Sequence, residues 1–249
     1  MSIIEVNGIA KYFGGLRALY NISFTLEKGE ILGLIGPNGA GKTTLFNIIA
    51  GTFPPSSGSI QFNGEDITSQ TARKICHKGI SRTYQLVRTF SNLTVYENVL
   101  VGLYFGKPGN EGGVTEGEAY EVLRLTGLLQ KANIPARSLT LVGRKQLEIA
   151  RALATRPKVL LLDEAISGLN PTETETVMTL IQNIQNRGIT VFMIEHIMKA
   201  VMGLSDRILV LNFGELIAQG TPGEVSKNKD VIEAYLGAEG GQEQRRAEG

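Results

Sequence analysis

The sequence predicts an α/β fold with a parallel sheet at its centre, an antiparallel β part and an inserted, mostly helical part. A short apolar strand, a glycine-rich loop and a helix follow one another over residues 31–50. Two further apolar runs, Val159–Leu162 and Thr190–Ile194, are typical of strands buried on both faces of a parallel sheet. Between residues 86 and 156 the chain reads mainly as amphipathic helices.

The glycine-rich loop fits the phosphate-binding pattern G-x-x-x-x-G-K-[ST]. Its residues, with the one that follows, are Gly36, Pro37, Asn38, Gly39, Ala40, Gly41, Lys42, Thr43 and Thr44. The glycines let successive N–H groups face one concavity, and the N-terminus of the helix adds positive partial charge. Lys42 is expected to reach the β- and γ-phosphates of a nucleotide, and the Thr43 hydroxyl to bind Mg²⁺. A plain glycine turn is the alternative, but the flanking strand and helix favour nucleotide binding.

Composition bounds the possible functions. The 249 residues are 42% hydrophobic, which is enough for the core of one large or two small domains. The 25 basic and 24 acidic residues leave a formal charge of +1, so charge does not favour a nucleic-acid-binding surface. Cys76 is the single cysteine, which excludes an internal disulfide and fits the cytosol. We see no signal-peptide pattern and no apolar run near the ~20 residues that span a bilayer, so a membrane role is expected to come through partner chains.

The N-terminal residues are expected to form the antiparallel part. Ile3–Val6 and Ile22–Leu26 read as short strands, and a turn over residues 11–15 is expected to carry two aromatic side chains. Gly58–Phe62 reads as a third strand. A helix over Thr71–Lys78 and a strand over Ile80–Tyr84 follow.

Three amphipathic helices are expected in the insert: Leu93–Leu103, Glu116–Leu129 and about Gly143–Ala154. Phe105–Thr115 is rich in glycine and proline and is expected to be a loop. Beyond the insert, a helix is expected over Thr172–Asn186, with Pro171 just ahead of it, and a hairpin over residues 208–219. Residues 238–249 are small and polar and are expected to be a disordered tail. We find no internal repeat, so residues 1–237 are expected to form one domain.

Polar side chains follow the ends of three predicted strands. Asp163 ends an apolar run, where it can reach Mg²⁺ from the carboxyl edge of the sheet, and Glu164 can turn toward an attacking water as a general base. Gln85 ends the strand that starts at Ile80, and its amide can bind Mg²⁺ or orient water. His196 comes two residues after Ile194, at the end of the strand that follows the Asp163 strand, and is a candidate γ-phosphate contact. The alternative for Asp163-Glu164 is an acidic pair on the surface. For Gln85 it is an exposed glutamine, and for His196 a structural histidine.

The order of phosphate loop, Gln85, helical insert, Asp163-Glu164 and His196 resembles the nucleotide-binding subunits of ABC transporters over about residues 3–237. Local strings look like the ATPase subunits of branched-chain amino acid importers, and most like the longer of the two. They are KYFGGL at 11–16, SRTYQ at 81–85, GLNP at 168–171, IEH at 194–196, AQGTP at 218–222 and YLG at 235–237. The resemblance implies a P-loop NTPase (RecA-like) core with an antiparallel β subdomain over about 1–85 and 157–237. The helical subdomain would cover about residues 86–156.

The resemblance also implies ligands and partners. ATP and Mg²⁺ are the implied cofactors, and Phe13, rather than Tyr12, matches the aromatic residue that stacks on adenine. Two subunits would close head to tail over two ATP molecules, with Ser167–Asn170 contacting the opposite site. The partner would be a second homologous ATPase subunit, or a copy of this chain. Two integral membrane permeases would bind the pair at the cytoplasmic face of the inner membrane, a solute-binding protein would act indirectly, and no nucleic acid is involved.

The signature segment departs from the family pattern Leu-Ser-Gly-Gly-Gln. The aligned residues are Leu139, Thr140, Leu141, Val142 and Gly143, with the register set by LEIARAL at 147–153. The Thr140 hydroxyl can cap the helix and touch the partner's phosphate. Val142 stands where glycine is expected and lacks its backbone freedom. Gly143 is expected to supply the close approach one residue later, and Arg144 or Lys145 to add positive charge.

Several functions stay open at this point. The phosphate loop alone would suit a kinase, a GTPase or an ATPase. Within the resembled family, an importer ATPase leads, and an ATPase for lipid or polysaccharide export is the alternative. A soluble, non-transport ABC protein of DNA repair or translation is disfavoured, because such proteins show tandem cassettes or a long coiled-coil insert. A small-molecule kinase would need an acceptor-substrate motif, and we find none.

Overall fold

A computed structural model describes residues 1–84, 89–106 and 115–235 of the chain. Gln85 and the polar tail at 238–249 lie outside the described residues. The strands are β1 (Ser2–Phe13), β2 (Leu16–Glu27), β3 (Ile31–Ile35), β4 (Ser57–Phe62), β5 (Glu65–Asp66), β6 (Ile80–Arg82), β7 (Val159–Asp163), β8 (Thr190–Ile194), β9 (Arg207–Asn212) and β10 (Glu215–Gly220). The helices are α1 (Lys42–Ile49), α2 (Ala72–Lys78), α3 (Val95–Phe105), α4 (Glu116–Leu125), α5 (Leu141–Ala154), α6 (Pro171–Asn186), α7 (Met198–Leu204) and α8 (Pro222–Val225).

Two sheets organise the molecule, and the α/β prediction is confirmed. The central sheet has the strand order β10-β9-β3-β8-β7-β6, and all of its neighbours are parallel except the β9–β10 hairpin. The second sheet is antiparallel and has the order β2-β1-β4-β5. Because β3, β8, β7 and β6 are adjacent and run in the same direction, their carboxyl ends meet at one edge.

The apolar run of β7 is continuous because both faces of the central sheet are covered. Val159 and Leu161 pack into the core cluster shared with α1 and the antiparallel sheet. Leu160 and Leu162 point the other way, into the cluster formed with α5, α6 and α7. Successive side chains of a strand alternate between faces, so a strand buried on both sides shows no polar alternation.

Helices α3, α4 and α5 surround an apolar cluster of their own, which includes Val95, Leu123 and Leu147. The α3 helix begins at a capping box, in which the Thr94 hydroxyl accepts from the Glu97 N–H and the Glu97 carboxylate accepts from the Thr94 N–H. This pair fixes the start of α3 two residues later than the sequence predicts.

Three local expectations were wrong. The aromatic residues Tyr12 and Phe13 do not lie in a turn, because β1 continues through Phe13 and only two glycines separate it from β2. The helix expected over 116–129 ends at Leu125, since Gly127 adopts φ 71 and breaks it. The strand from Ile80 ends at Arg82, two residues early. Over the described ranges, we find no helix with the length and apolarity needed to cross a bilayer.

Candidate functional site

The phosphate loop approaches neighbouring backbone so closely that two of its glycines are sterically required. Gly36 has φ 150, and a Cβ on it would lie 2.0 Å from the carbonyl oxygen of Leu211. Gly41 has φ 100, and its Cβ would lie 2.7 Å from the carbonyl oxygen of Ala18. Gly41 also precedes α1, and no side chain caps that helix start. The first N–H groups of α1 therefore face the loop, as an anion site requires.

The Lys42 ammonium folds back over the loop. Its Nζ donates to the carbonyl oxygens of Gly36 at 2.6 Å and Pro37 at 2.8 Å. Burial lowers the pKa of Lys42, and the negative charges of Glu164 and Asp163 oppose that shift. Lys42 is therefore close enough to the carboxylates of Asp163 and Glu164 to interact with them electrostatically. This agrees with the prediction that the three residues share one site.

Asp163 is held by a buried network. Its Oδ2 accepts from Arg82 Nη2 at 3.0 Å, and its backbone N–H donates to Thr83 Oγ1 at 3.1 Å. Arg82 also donates from Nη1 to Asn47 Oδ1 on α1 at 2.7 Å. Burial raises the pKa of Asp163, and the Arg82 guanidinium opposes that shift. Asp163 Oδ1 is buried and has no hydrogen-bond partner among the described residues, so this oxygen has unused capacity to accept a hydrogen bond or bind a cation.

Glu164 and His196 meet at the same edge. The Oε1 of Glu164 lies 2.8 Å from His196 Nε2, and the Glu164 N–H donates to the Ile194 carbonyl at 3.0 Å. Glu164 has φ 51, a left-handed conformation that is uncommon outside glycine. Both side chains line one cleft with the phosphate loop. The sequence-based grouping of phosphate loop, Asp163-Glu164 and His196 therefore corresponds to one place in the fold.

A second charged pair, which the sequence did not single out as a unit, lies behind Glu164. Glu195 is 2% exposed, and its Oε1 accepts from the Ile166 N–H at 2.8 Å. Burial raises the pKa of Glu195 to about 7. Lys145 is 7% exposed and donates from Nζ to the Glu164 carbonyl oxygen at 2.7 Å. Burial lowers the pKa of Lys145, with the carboxylate of Glu195 as the largest opposing charge.

The sequence left Arg144 and Lys145 as alternative sources of positive charge at the signature segment, and the structure buries Lys145. The lysine does not add charge to an exposed signature surface, because α5 turns its side chain toward the end of β7. Arg144, one residue earlier, is exposed. Residues on a helix that are one position apart face directions about 100° apart, and sequence order alone does not say which of the two is buried.

The cleft above the phosphate loop has a volume of about 360 Å³. Phe13 lines it, is 45% exposed, and packs edge-on against Phe53 with ring centroids 5.5 Å apart. The cleft is also lined by three residues that sequence reasoning missed: Leu16, Arg17 and Ala18. Their residue types carry no nucleotide signal. They begin β2, which pairs with the end of β1 after a two-glycine turn that follows Phe13. Only a prediction of that pairing could have indicated them.

The signature segment forms the start of α5. Thr140 is exposed, and its Oγ1 accepts from the Gly143 N–H at 3.3 Å as an N-cap. Gly143 is buried, and a Cβ on it would lie 3.3 Å from the Cβ of Leu139. Val142 is partly buried against the cluster that α5 shares with α6. The segment is therefore a capped first helical turn, with Thr140 as its exposed polar group.

Residues 19–167 match the family model of the ABC transporter. A second model, for the branched-chain amino acid ATP-binding cassette transporter, matches residues 215–241. The high-affinity branched-chain amino acid transport ATP-binding protein LivG of Salmonella typhimurium is 43% identical to this chain. The matched part covers 94% of this chain and 98% of LivG. The corresponding protein BraF of Pseudomonas aeruginosa is 41% identical with the same coverage.

Solved structures resemble most of the chain. The ADP conformation of an ATP-binding cassette of an ABC transporter superposes with a TM-score of 0.86 at 31% identity, covering 95% of this chain and 99% of that one. A dimeric post-hydrolysis state of another cassette, bound to ADP and inorganic phosphate, superposes with a TM-score of 0.78 at 25% identity. It covers 88% of this chain and 98% of that one.

Proposed function

The chain belongs to the ABC transporter family, and we propose that it powers an importer of branched-chain or related amino acids by hydrolysing ATP. The fold and the near-complete overlap with LivG and BraF support this function. The observation that carries the catalytic part is the contact of Glu164 with His196 at the mouth of the phosphate loop. In this proposal the pair would act as an acid–base pair beside the terminal phosphate of a bound nucleotide.

The phosphate loop would bind the triphosphate through its N–H groups and Lys42. Lys42 Nζ is now occupied by two loop carbonyls, and an ammonium with three donors can add a phosphate oxygen by a small rotation. The adenine would stack on Phe13, with Leu16 and Ala18 completing the apolar side of the cleft. The adenine would then lie at the antiparallel sheet and the phosphates at the central sheet.

The residues at the end of β7 fit a magnesium ion. Asp163 offers a buried carboxylate oxygen, Oδ1, that lacks a partner among the described residues. Oxygen ligands are those that Mg²⁺ prefers, so Thr43, Asp163 and Gln85 would hold it together with phosphate oxygens. Bound there, Mg²⁺ would neutralise charge that develops on the terminal phosphates. Arg82 occupies the other oxygen of Asp163, Oδ2, so Oδ1 would be the oxygen left to bind the ion.

Glu164 would act as the general base. A carboxylate is a proton acceptor, and the imidazole of His196 at 2.8 Å would orient it and contact the terminal phosphate. The residues that follow, Ser167–Asn170, would face the second subunit. Thr140 and Gly143 would complete the partner's ATP site from the start of α5. In this scheme the chain binds and hydrolyses ATP with its own phosphate loop and supplies its signature segment in trans.

Coupling to the membrane would use the helical part, about residues 86–156. A groove of about 580 Å³ lies between α3, α5 and the β6 end of the central sheet. Exposed aromatic side chains line it, among them Tyr84, Phe90 and Phe105. Two permeases would dock there at the cytoplasmic face of the inner membrane, with a homologous ATPase subunit as dimer partner and a solute-binding protein acting indirectly.

The test is a pull-down from native membranes in mild detergent, with a tagged copy of the chain and mass spectrometry of the bound proteins. We expect a second, shorter ATPase and two permeases. Phe105→Glu in the groove should reduce recovery of the permeases, whereas Phe213→Glu, which changes an equally exposed residue on the β9–β10 turn, should not. Recovery of the chain with only its own copies, or with no membrane protein, would overturn the importer function.

A further inference from the structure

The backbone of Glu164 is strained, and contacts with surrounding residues must stabilise its conformation. Its φ of 51 places a non-glycine residue in the left-handed region. Such a conformation is unfavourable for a residue with a side chain and persists only where the surrounding contacts fix it. The residue concerned is the proposed general base, whose carboxylate direction depends directly on this backbone.

The turn that begins at Glu164 is closed by the Ser167 N–H, which donates to the Glu164 carbonyl at 3.3 Å. Three further hydrogen bonds tie this turn to the rest of the protein, beginning with that of Glu164 itself. Its N–H donates to the Ile194 carbonyl of β8 at 3.0 Å. Its carbonyl oxygen accepts from Lys145 Nζ of α5 at 2.7 Å. Two residues on, the Ile166 N–H donates to Glu195 Oε1 at 2.8 Å. Two of these three contacts use charged side chains that are almost fully buried.

Burying two charged side chains is costly unless each has specific partners. The acidic Glu195 and the basic Lys145 approach the same turn from the end of β8 and from α5, so each charge favours the charged form of the other. Neither side chain faces the nucleotide cleft. A buried pair in this position is consistent with a role in fixing geometry.

Lys145 also lies close to the proposed contact with the partner. The α5 helix begins at Leu141 after the Thr140 cap, and Gly143 is only two residues before Lys145. At 1.5 Å of rise per residue, that separation is about 3 Å along the helix axis. A helix of this length moves as a rigid body, so a shift of its first turn also moves the Lys145 side chain.

We propose that Lys145 and Glu195 are positioning residues for Glu164, and that Lys145 links the partner-facing start of α5 to hydrolysis at this chain's own phosphate loop. This inference rests on the proposed function. When the partner's nucleotide draws the start of α5 across the dimer, the Lys145 ammonium carries the displacement to the Glu164 carbonyl. Hydrolysis at one site then depends on the occupancy of the other.

The test uses the transporter purified through a tagged copy of this chain. Lys145→Met keeps the length of the side chain and removes its donor. We expect kcat to fall about 10- to 100-fold, because a displacement of about 1 Å of a reacting group has that effect. The apparent Hill coefficient for ATP should fall toward one, while ATP binding measured in EDTA should stay unchanged. Lys227→Met, an exposed control two residues after the end of α8, should leave all three values at wild type.

A second pair of variants keeps the test decisive if Lys145→Met does not fold. Glu195→Gln retains an acceptor for the Ile166 N–H, whereas Glu195→Leu removes it. We expect the leucine variant to lose at least about tenfold more kcat than the glutamine variant. Lys145→Arg, which keeps a donor, should recover part of the lost activity.

The outcomes separate the inference from the function on which it rests. A wild-type complex that hydrolyses no ATP would contradict the proposed function. An active wild type with an equally active and equally cooperative Lys145→Met variant would overturn the link through Lys145. Equal activity of Glu195→Gln and Glu195→Leu would overturn the positioning role of Glu195.

Discussion

His196 Nε2 lies 2.8 Å from Glu164 Oε1, although the two residues leave neighbouring strands and are separated by 32 positions in the chain. The contact exists because β8 pairs with β7 in a register that sets Ile194 opposite Asp163. The residues that follow these two strand ends then project from the same edge of the sheet. One carboxylate and one imidazole are thereby fixed at the mouth of the phosphate loop.

Glu164→Gln should nearly abolish hydrolysis and leave ATP binding intact. An amide keeps the shape of the side chain and its contact with His196 but does not accept a proton. General-base loss costs about 100- to 10,000-fold in rate, so single-turnover ATP hydrolysis should fall into that range. Glu175→Gln removes a carboxylate that pairs with Lys199 on the surface and serves as the control. Retention of more than about a tenth of wild-type kcat would exclude Glu164 as the general base.

Arg82→Met should destabilise the protein by leaving Asp163 as an unpaired buried charge. Loss of one partner of a buried ion pair costs about 3–5 kcal/mol, which urea unfolding would measure. The double variant Arg82→Met with Asp163→Asn should regain much of that stability, because the uncompensated charge is gone. If the double variant is no more stable than Arg82→Met, the Asn47 contact of Arg82 is the more important one.

The buried Glu195 should make stability depend on pH. Burial raises its pKa from the ordinary 4.5 to about 7, so between these values the folded protein holds a proton that the unfolded chain has released. This group therefore lowers the free energy of unfolding as pH rises from about 4.5 to about 7, by about 3 kcal/mol in all. Glu195→Gln should remove that slope, as urea unfolding between pH 5 and 8 would measure. Parallel curves for variant and wild type would contradict the prediction.

Phe13→Ala should weaken ATP binding with little effect on kcat. Aromatic stacking contributes about 0.5–1.5 kcal/mol beyond area burial, so KM for ATP should rise about 3- to 10-fold. Tyr12 is equally exposed but does not line the cleft, because neighbouring residues of β1 face opposite sides. Tyr12→Ala is therefore the matched control. An equal effect of both substitutions would exclude Phe13 as a specific adenine contact.

Val142→Gly should raise ATPase activity in a dimer of two copies of this chain, since both sites then contain the unusual signature. Glycine allows the closer backbone approach that valine prevents. Val142→Ala shortens the side chain without that freedom and is the control. Glycine in the first turn also costs about 1 kcal/mol of helix stability, so the folded fraction must be measured alongside. Unchanged or lower activity would mean that the segment functions with valine in place.

The sequence by itself determined the central features of the site. Glycine is favoured where φ is positive and required where another backbone approaches closely, so the pattern from Gly36 to Thr43 predicts its own conformation. Apolar runs buried on both faces are local signals too, and they correctly indicated that Asp163 and His196 lie at neighbouring strand ends. Gln85, which the same reasoning placed at a strand end, lies outside the described residues.

Tertiary structure alone decided the electrostatics behind the site. The ion pair of Arg82 with Asp163 joins residues 81 positions apart, and the contact of Lys145 with Glu164 depends on how α5 rotates against β7. No local pattern encodes these distances, because they follow from strand order and from which face of a helix is covered. The same burial that fixes Lys145 and Glu195 in place also shifts their pKa values, since a low-dielectric interior disfavours charge.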